Sequence, residues 1–272
     1  MTLPAAPAAA TGQPYQFTAT ATGNVGTVTW SIDPSSGSLP PGLTIGPSSG
    51  MIAGTPTTAG TFSAVIQAKD SLDPATRVAF AGITIGVTRS DIVLYTADAP
   101  VIRGTWSVVD DATAAGGRRV SNPDAGAAKL SAALASPANY FELTFSAEAG
   151  VGYHLWMRGK ASKNLWANDS VYVQFSGSVD AKGTAINRIG STMGAAVSIE
   201  EGANAGLSEW GWADDSYGGL ASPIYFASTG TQTIRVQVRE DGVSLDQIVL
   251  SADRYLTVAP GALKNDATIV QR

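Results

Sequence analysis

Residues 234–250 read Ile-Arg-Val-Gln-Val-Arg-Glu-Asp-Gly-Val-Ser-Leu-Asp-Gln-Ile-Val-Leu, and this stretch decides the fold class. Apolar and polar side chains alternate on both sides of Glu240-Asp241-Gly242, and alternation with period two is typical of a half-buried β-strand. The Asp-Gly pair tolerates the positive φ values that a tight turn needs. The stretch therefore predicts two strands, Ile234–Arg239 and Leu245–Leu250, joined by a hairpin.

The same alternation recurs through the rest of the chain. In the first half it appears in residues 15–30 and 61–68, and the stretch between them, residues 33–60, is rich in Gly and Pro. Short strands separated by turn signals favour β-sandwiches, so we predict an all-β chain. The segment Ala125–Ala135 has Leu130 and Leu134 four residues apart, which leaves open a short helix or a surface turn. Five further strands are predicted in the second half, at Ile92–Tyr95, Tyr140–Phe145, Tyr153–Arg158, Val171–Phe175 and Ile224–Phe226.

Composition excludes several classes of protein. Of the 272 residues, 44% are hydrophobic and 14% are charged, and the net charge is −5. Nucleic acid is not expected as a partner, because phosphate binding needs clustered Lys and Arg. No apolar run of 18 residues is present, so we expect no membrane insertion. The absence of cysteine removes disulfides and thiolate nucleophiles, and one histidine, His154, makes a His-rich metal centre impossible.

A polar run, Thr88-Arg89-Ser90-Asp91, divides the chain into two predicted domains. Residues 1–88 form the first, and residues 91–256 form the second. Residues 257–272 are a tail that either links to a neighbouring domain or packs on the sandwich. Each part has its own alternating strands, so we expect two independently folding β-sandwiches.

The first domain carries a specific motif. It runs through Gly37-Ser-Leu-Pro-Pro-Gly-Leu-Thr-Ile45, Ser49-Gly-Met-Ile-Ala-Gly-Thr-Pro56 and Ala59-Gly-Thr-Phe62. This pattern resembles an immunoglobulin-like repeat of bacterial surface and secreted proteins, over most of residues 3–87. The resemblance implies an immunoglobulin-like spacer without an active site.

The second domain resembles the jelly-roll carbohydrate-binding modules, in particular families six and thirty-five. The resemblance rests on Tyr95-Thr-Ala-Asp98, Ala114-Ala-Gly-Gly117, Tyr153-His-Leu-Trp-Met-Arg158, Asn168-Asp-Ser170 and the stretch Ile234–Leu250. It implies a jelly-roll fold and non-catalytic carbohydrate binding.

Enzyme signatures are weak in this sequence. The acidic doublets Asp214-Asp215 and Glu240-Asp241 are sequence neighbours, and neighbours on a strand point to opposite faces. They therefore do not supply the paired carboxyl groups of a glycosidase by themselves. Phosphate-loop, zinc-protease and dinucleotide motifs are absent from the sequence. We therefore predict that the chain is not an enzyme.

Aromatic and acidic residues in two loops predict the sugar site. A sugar presents C–H faces to an aromatic ring and hydroxyl groups to carboxylates, and binding sites place a few polar groups on an apolar platform. An open alternative for Trp210 and Trp212 is that one or both fill the end of the sandwich. If the loops are not the site, the strand face with His154, Trp156 and Arg158 is the next candidate. The predicted sugar-binding residues are Trp166, Asp169, Trp210, Trp212, Asp214 and Tyr217.

The jelly-roll resemblance also implies a structural calcium ion. In the related modules a carboxylate on the first strand and one on the last strand hold Ca²⁺, and the matching residues here are Asp98 and Asp246. Calcium prefers six to eight oxygen ligands. Thr96 stands where the family often has a glutamate, which would weaken the site. Solvated strand-end acids are the alternative.

The leading functional hypothesis is carbohydrate binding that targets a secreted or surface multidomain protein, bacterial in type, to polysaccharide. Weak sugar binding would raise the local concentration of an attached domain near its substrate. The alternative is a structural or adhesion segment that mediates protein contacts without sugar. We expect an extracellular or cell-surface monomer that is a fragment of a larger chain.

Overall fold

The computed structural model describes residues 5–200, 202 and 205–272, so residues 1–4 of the predicted first domain lie outside it. The chain divides into two compact units, Met1–Ser90 and Asp91–Arg272. The tail at residues 257–272 thus falls within the second unit. Among the described residues, no helix has the length and apolar character needed to cross a membrane.

The first unit is a sandwich of two sheets. One sheet has four strands in the order β1-β7-β6-β3, and the other has three in the order β2-β5-β4. Trp30, Phe17 and Ile66 lie in the core between them, as the alternation of the strands predicts. The strands are β1 (Ala9–Ala10), β2 (Tyr15–Thr18), β3 (Val28–Ile32), β4 (Leu43–Ile45), β5 (Met51–Gly54), β6 (Gly60–Asp70) and β7 (Val78–Thr88).

The second unit contains thirteen of the strands that the structure describes. They are β8 (Ile92–Tyr95), β9 (Val101–Arg103), β10 (Ser107–Asp110), β11 (Arg118–Ser121), β12 (Tyr140–Ala147), β13 (His154–Ala161), β14 (Ser170–Phe175), β15 (Ser178–Val179), β16 (Ala195–Ser198), β17 (Gly211–Ala213), β18 (Tyr225–Phe226), β19 (Gly230–Val238) and β20 (Val243–Ser251).

Two main sheets pack face to face in this unit. A six-stranded sheet has the order β10-β11-β20-β13-β17, with β8 also pairing with β20. A five-stranded sheet has the order β16-β14-β19-β12-β9, and β15 pairs with β18 in a small additional ribbon. Phe141, Phe175, Met157 and Leu250 are among the side chains buried between the two sheets. The observed architecture is all-β, as the sequence predicts.

The hairpin predicted at Glu240–Gly242 is wrong. β19 pairs with β12 and β14 in the five-stranded sheet, whereas β20 pairs with β8, β11 and β13 in the six-stranded sheet. The turn is therefore a crossover between sheets. Gly242 does adopt a positive φ of 82°. A Cβ atom at this residue would lie 2.7 Å from Cγ of Asn168, so the turn needs glycine for space as well as for conformation.

Two irregular segments cover the outer faces of the sheets. The first strap (residues 122–138) lies on the five-stranded sheet, where the Leu130 amide donates to the Arg239 carbonyl over 2.8 Å and the Leu134 amide donates to the Gln237 side chain over 2.8 Å. This strap has no helix, so the predicted segment Ala125–Ala135 takes the alternative, non-helical conformation.

The C-terminal strap (residues 252–272) lies on the six-stranded sheet. The Gln247 side chain donates to the Val270 carbonyl over 2.7 Å and accepts from the Val270 amide over 3.0 Å. The strap also approaches β17 closely at Gly211. A Cβ atom at this residue would lie 1.6 Å from the Leu263 carbonyl oxygen, so only glycine leaves room for the strap. Of the two alternatives for the tail, packing on the sandwich is the one observed.

Candidate functional site

Three of the six predicted sugar-binding residues line one cavity of the second unit. Trp166, Asp169 and Tyr217 surround a space of about 250 Å³, together with polar side chains from several elements. Trp166 and Tyr217 are 67% and 63% exposed, which is unusual for aromatic side chains of this size. We call this space the aromatic cavity, and its full lining is Lys129, Trp166, Asp169, Ala196, Ser198, Glu200, Ser216, Tyr217 and Arg239.

Local structure fixes the position of Trp166. Trp166 begins a 3₁₀ turn, Trp166–Asn168, which leads directly into Asp169 and β14. The buried Asn168 side chain anchors the turn by donating to the Ser162 carbonyl over 3.3 Å and by packing against Gly242. The tryptophan ring consequently projects from a short, anchored connection between β13 and β14.

Asp214 organises the loop that carries Tyr217. Its carboxylate accepts the amide hydrogens of Ser216 and Ala221, each over 2.8 Å, and it lies 2.9 Å from Nε2 of His154. Burial acts to raise the pKa of Asp214, but these hydrogen bonds outweigh it and hold the pKa below its ordinary value. Asp214 is fully buried, so it does not reach the cavity, and its predicted role as a direct sugar acceptor is corrected to positioning the loop.

Asp169, which lines the aromatic cavity, is paired with the buried carboxyl group of Glu240 behind the lining. Burial, followed by a hydrogen bond and the charge of Glu240, raises the pKa of Asp169 to about 7. Burial opposes ionisation of Glu240 too, but the bonds from Asp169, Lys129 and Ser170 lower its pKa. The shared proton therefore resides on Asp169, and Glu240 is the ionised partner, 2.6 Å from the Lys129 ammonium group. Ser198 donates to Asp169 over 3.1 Å.

Trp210 and Trp212 are not part of the cavity. They are 3% and 1% exposed, so neither ring has a free face for a sugar. The Trp210 ring lies under the cationic groups of Arg158 and Lys160, at 4.7 and 4.6 Å from the ring centroid, and Trp212 packs in the cluster beneath the C-terminal strap. Both rings are buried on the outer side of the six-stranded sheet rather than in the core between the sheets, and the prediction that they stack on sugar is corrected accordingly.

The alternative face with His154, Trp156 and Arg158 is covered as well. All three side chains are buried. Trp156 donates its indole hydrogen to the Tyr255 carbonyl over 2.7 Å, and Arg158 donates to the Asp266 carbonyl over 3.0 Å. The C-terminal strap thus occupies the outer face that was the second candidate.

Sequence reasoning missed the cationic and hydroxyl groups of the cavity. Lys129 reaches it from the first strap, Arg239 from the end of β19, and Ser198 and Glu200 from the end of β16. Lys129 and Glu240 are more than 100 residues apart in sequence, so local patterning carries no signal for their contact. The one available signal for Ser198 was its place on β16, where alternate side chains point away from the core.

The residues predicted to bind calcium do not form a suitable site. Asp246 is buried against the guanidinium group of Arg158 and accepts the Ala115 amide hydrogen over 2.7 Å. Asp98 is paired with Arg118 and Arg272. The Thr96 hydroxyl donates to the Leu245 carbonyl over 2.6 Å. Among the described residues, no group of three acidic, histidine or cysteine side chains is placed to hold a metal ion. Calcium prefers six to eight oxygen ligands. The calcium ion stays a prediction, and this geometry argues against it.

The first unit matches a known family model. The He_PIG model, described as "Putative Ig domain", matches residues 2–86. No curated protein matches the chain significantly.

Solved structures similar to the chain include carbohydrate-binding modules. They are the C-terminal CBM6 of LamC, a laminarinase from Zobellia galactanivorans (12% identity, 60% of this chain and 99% of that chain, TM-score 0.36), a family 35 module from Clostridium thermocellum (14%, 59% and 98%, 0.35), and the GH26-CBM35 β-(1,4)-mannanase from Podospora anserina (13%, 59% and 27%, 0.37). This chain thus spans about a quarter of the length of the mannanase. All three TM-scores are below 0.5, so the likenesses transfer no residue roles.

Proposed function

We propose that the second unit is a non-catalytic carbohydrate-binding module and that the aromatic cavity is its sugar site. The observation that carries the proposal is the pair of exposed rings, Trp166 and Tyr217, at one cavity lined otherwise by polar groups. Exposed aromatic rings lose favourable burial unless a ligand covers them, and the C–H face of a sugar is a suitable cover.

The polar lining suits a hydroxyl-rich ligand. Arg239 and Lys129 supply hydrogen-bond donors, while Glu200 and Ser198 supply acceptors from the neighbouring β16. Charged donors and acceptors make stronger hydrogen bonds than neutral ones, so they fix the orientation that stacking alone leaves free. A cavity of this size holds one or two sugar rings rather than a long stretch of polysaccharide.

The carboxyl groups of the cavity support binding rather than hydrolysis. The carboxyl groups of Asp169 and Glu240 interact so directly that each shifts the pKa of the other, whereas a glycosidase separates its two carboxyl groups by about 5–9.5 Å around the sugar bond. Their role in the proposal is to support the wall of the site, because Asp169 is buried and already accepts the Ser198 hydroxyl and the Glu200 amide. Sugar hydroxyl groups are accepted by the neighbouring Glu200 carboxylate instead.

In the wider protein, we propose that this unit targets a secreted or surface multidomain chain to polysaccharide, with the immunoglobulin-like unit as a spacer. Weak binding by such a module raises the effective concentration of an attached domain at its substrate. The competing hypothesis is a protein-contact segment that binds no sugar.

A glycan-array screen of the full chain, followed by calorimetry with the best oligosaccharide, tests the proposal. We expect Trp166→Ala and Tyr217→Ala each to weaken binding by about 1–3 kcal/mol, by analogy with bases stacked on aromatic rings. Phe80→Ala is the matched control, because Phe80 is an exposed aromatic residue of the first unit. Unchanged binding in both cavity variants, with folding verified by circular dichroism, contradicts the site. Failure of every glycan to bind favours the protein-contact alternative.

A further inference from the structure

A second cavity of the same unit lies on the six-stranded sheet and has a different chemistry. It encloses about 360 Å³, and none of the residues that line it is aromatic. We call it the polar cleft. Its lining is Arg119, Ser121, Asn122, Pro123, Asp124, Lys160, Ala161, Ser162, Lys163, Asn164, Glu209, Gly242 and Ser244.

Three adjacent strands supply the floor of the polar cleft. Ser121 of β11 is paired in register with Ser244 of β20, which is paired in register with Lys160 of β13. Residues paired across strands project from the same face of a sheet, so a hydroxyl, a hydroxyl and an ammonium group form a row. Arg119, two residues before Ser121, joins the row by donating to the Ser244 hydroxyl.

The floor carries more positive than negative charge. Nε of Arg119 and Nζ of Lys160 lie 3.0 and 2.7 Å from the same oxygen of Asp111. Burial acts against the charge of Asp111, but hydrogen bonds from Lys160 and Thr113 hold its pKa well below the ordinary value. One carboxylate therefore balances two cations, whose side chains are each only 21% exposed. Charges sheltered in this way are screened less than surface charges.

The other charged groups near the floor leave this excess in place. Lys163 pairs with Asp124 at 2.8 Å on the rim, and Arg158, which does not line the cleft, pairs with Asp246. Glu209 is exposed at the rim, where water screens its charge. The uncompensated positive charge thus lies at the floor, between Arg119 and Lys160.

The rim of the polar cleft is held in an unusual backbone conformation. Lys163, Asn164 and Glu209 have φ values of 59°, 52° and 52°, in the left-handed region that side chains other than glycine seldom adopt. The Glu209 amide donates to the Asn164 side chain over 2.9 Å, which ties the two rim segments together. Strain of this kind persists only where the surrounding structure holds it, and it concentrates at functional sites.

We propose that the polar cleft is a second ligand site, which binds an anionic group, a carboxylate or a sulfate, on a hydroxyl-rich glycan unit. The anion would lie between Arg119 and Lys160, and the serine and asparagine groups would bind neighbouring hydroxyl groups. The site is separate from the aromatic cavity, so it stands or falls independently of the function proposed there.

Calorimetry of the full chain with three probes tests this inference: trigalacturonate, a chondroitin sulfate tetrasaccharide and neutral cellotriose. We expect at least one anionic probe to bind, with an affinity that falls several-fold between 50 and 300 mM salt. Arg119→Gln and Lys160→Gln should each weaken that binding at least ten-fold. Loss of the same binding in Trp166→Ala, with Arg119→Gln and Lys160→Gln at full affinity, would place the anionic probe in the aromatic cavity and overturn the proposal. The comparison between the first two probes tells whether carboxylate or sulfate is preferred.

A rim variant guards against loss of folding. Lys163→Gln changes a side chain that is 71% exposed, and we expect it to weaken anionic binding about two- to three-fold. Lys182→Gln, an exposed lysine outside both cavities, is the matched control and should have no effect. No binding of either anionic probe, or full binding by folded Arg119 and Lys160 variants, overturns the proposal.

Discussion

The guanidinium group of Arg158 lies against the carboxylate of Asp246, and both side chains are buried in the second unit. Burial raises the pKa of Asp246 to about 6, and the charge of Arg158 opposes that rise. Arg158 also donates to the Asp266 carbonyl over 3.0 Å, so it joins β13, β20 and the C-terminal strap. An arginine side chain thus supplies the positive charge beside Asp246 at the position where the jelly-roll resemblance implies calcium.

The first prediction follows from this pair. Calcium should not change the melting temperature of the second unit, because Asp246 and Asp98 already have guanidinium partners. A ligand that binds only the folded state would raise the melting temperature. The measurement is a thermal melt, followed by tryptophan fluorescence, in calcium and in chelator. A rise of several degrees with calcium restores the metal site.

The same pair gives the first prediction a second part. Arg158→Gln should destabilise the second unit by about 3–5 kcal/mol, because it leaves the buried Asp246 carboxyl without its cation. Denaturant unfolding measures the change. Arg118→Gln is the matched control: its ion pair with Asp98 is largely exposed, so the loss should be under about 1 kcal/mol. Similar losses in the two variants would show that Arg158 does not have this role.

The tryptophans provide a second prediction, which separates packing from binding. Trp212→Ala should lower the free energy of unfolding by about 3–5 kcal/mol, because the ring is buried among Trp156, Val249 and Val270. Trp166→Ala should change it by less than about 0.5 kcal/mol, because its ring is mostly exposed. Chemical denaturation of both variants gives the comparison. A large loss in Trp166→Ala would mean that this ring is structural.

The third prediction concerns pH and Asp169. The folded state raises the pKa of Asp169 from 3.8 to about 7, so between these values the folded chain holds a proton that the unfolded chain has released. Stability from this group is therefore greatest at low pH and is lost as pH rises through about 7. We expect the second unit to lose about 1 kcal/mol between pH 6 and 8 through Asp169, since one pKa unit corresponds to about 1.4 kcal/mol.

Asp169→Asn isolates that contribution, because the amide keeps the shape of the side chain and does not titrate. Unfolding free energies at pH 6 and 8 should differ less in this variant than in the natural chain. Asp246 and Asp215, each with a pKa raised to about 6, are present in both proteins, so their contributions to the pH dependence of stability cancel in the comparison. Asp180→Asn, at an exposed turn where the pKa is lowered, should leave the slope unchanged. Identical slopes in all three proteins would contradict the shared proton.

The C-terminal strap supports a fourth prediction. Val270→Ala should destabilise the second unit by about 1–2 kcal/mol, because Val270 is buried against Trp156 and Trp212. Val258→Ala is the matched control, since Val258 is 66% exposed on the same strap. Urea unfolding followed by tryptophan fluorescence reports on the unit, which contains five of the six tryptophans. Equal stability of the two variants would mean that the strap does not hold the outer face.

The sequence determined the strands and their inward faces. Alternation in stretches such as Ile234–Leu250 fixes which side chains meet the core, because successive residues of a strand point to opposite sides. Tyr153, Leu155 and Met157 alternate in this way and lie in the core. Trp166, Asp169 and Tyr217 were also accessible from sequence, since aromatic and acidic residues in glycine-rich or strand-leading loops favour binding sites.

The tertiary structure alone decided which outward faces stay open. Trp210 and Trp166 look alike in sequence, but Arg158 and Lys160 lie against the first ring, whereas the second is 67% exposed. The hairpin prediction failed because Gly242 turns the chain between sheets, and strand pairing depends on partners far along the chain. Both straps lack periodicity, and their contacts join residues such as Lys129 and Glu240 across more than 100 positions. Exposure is a property of such long-range contacts, and local patterning cannot encode it.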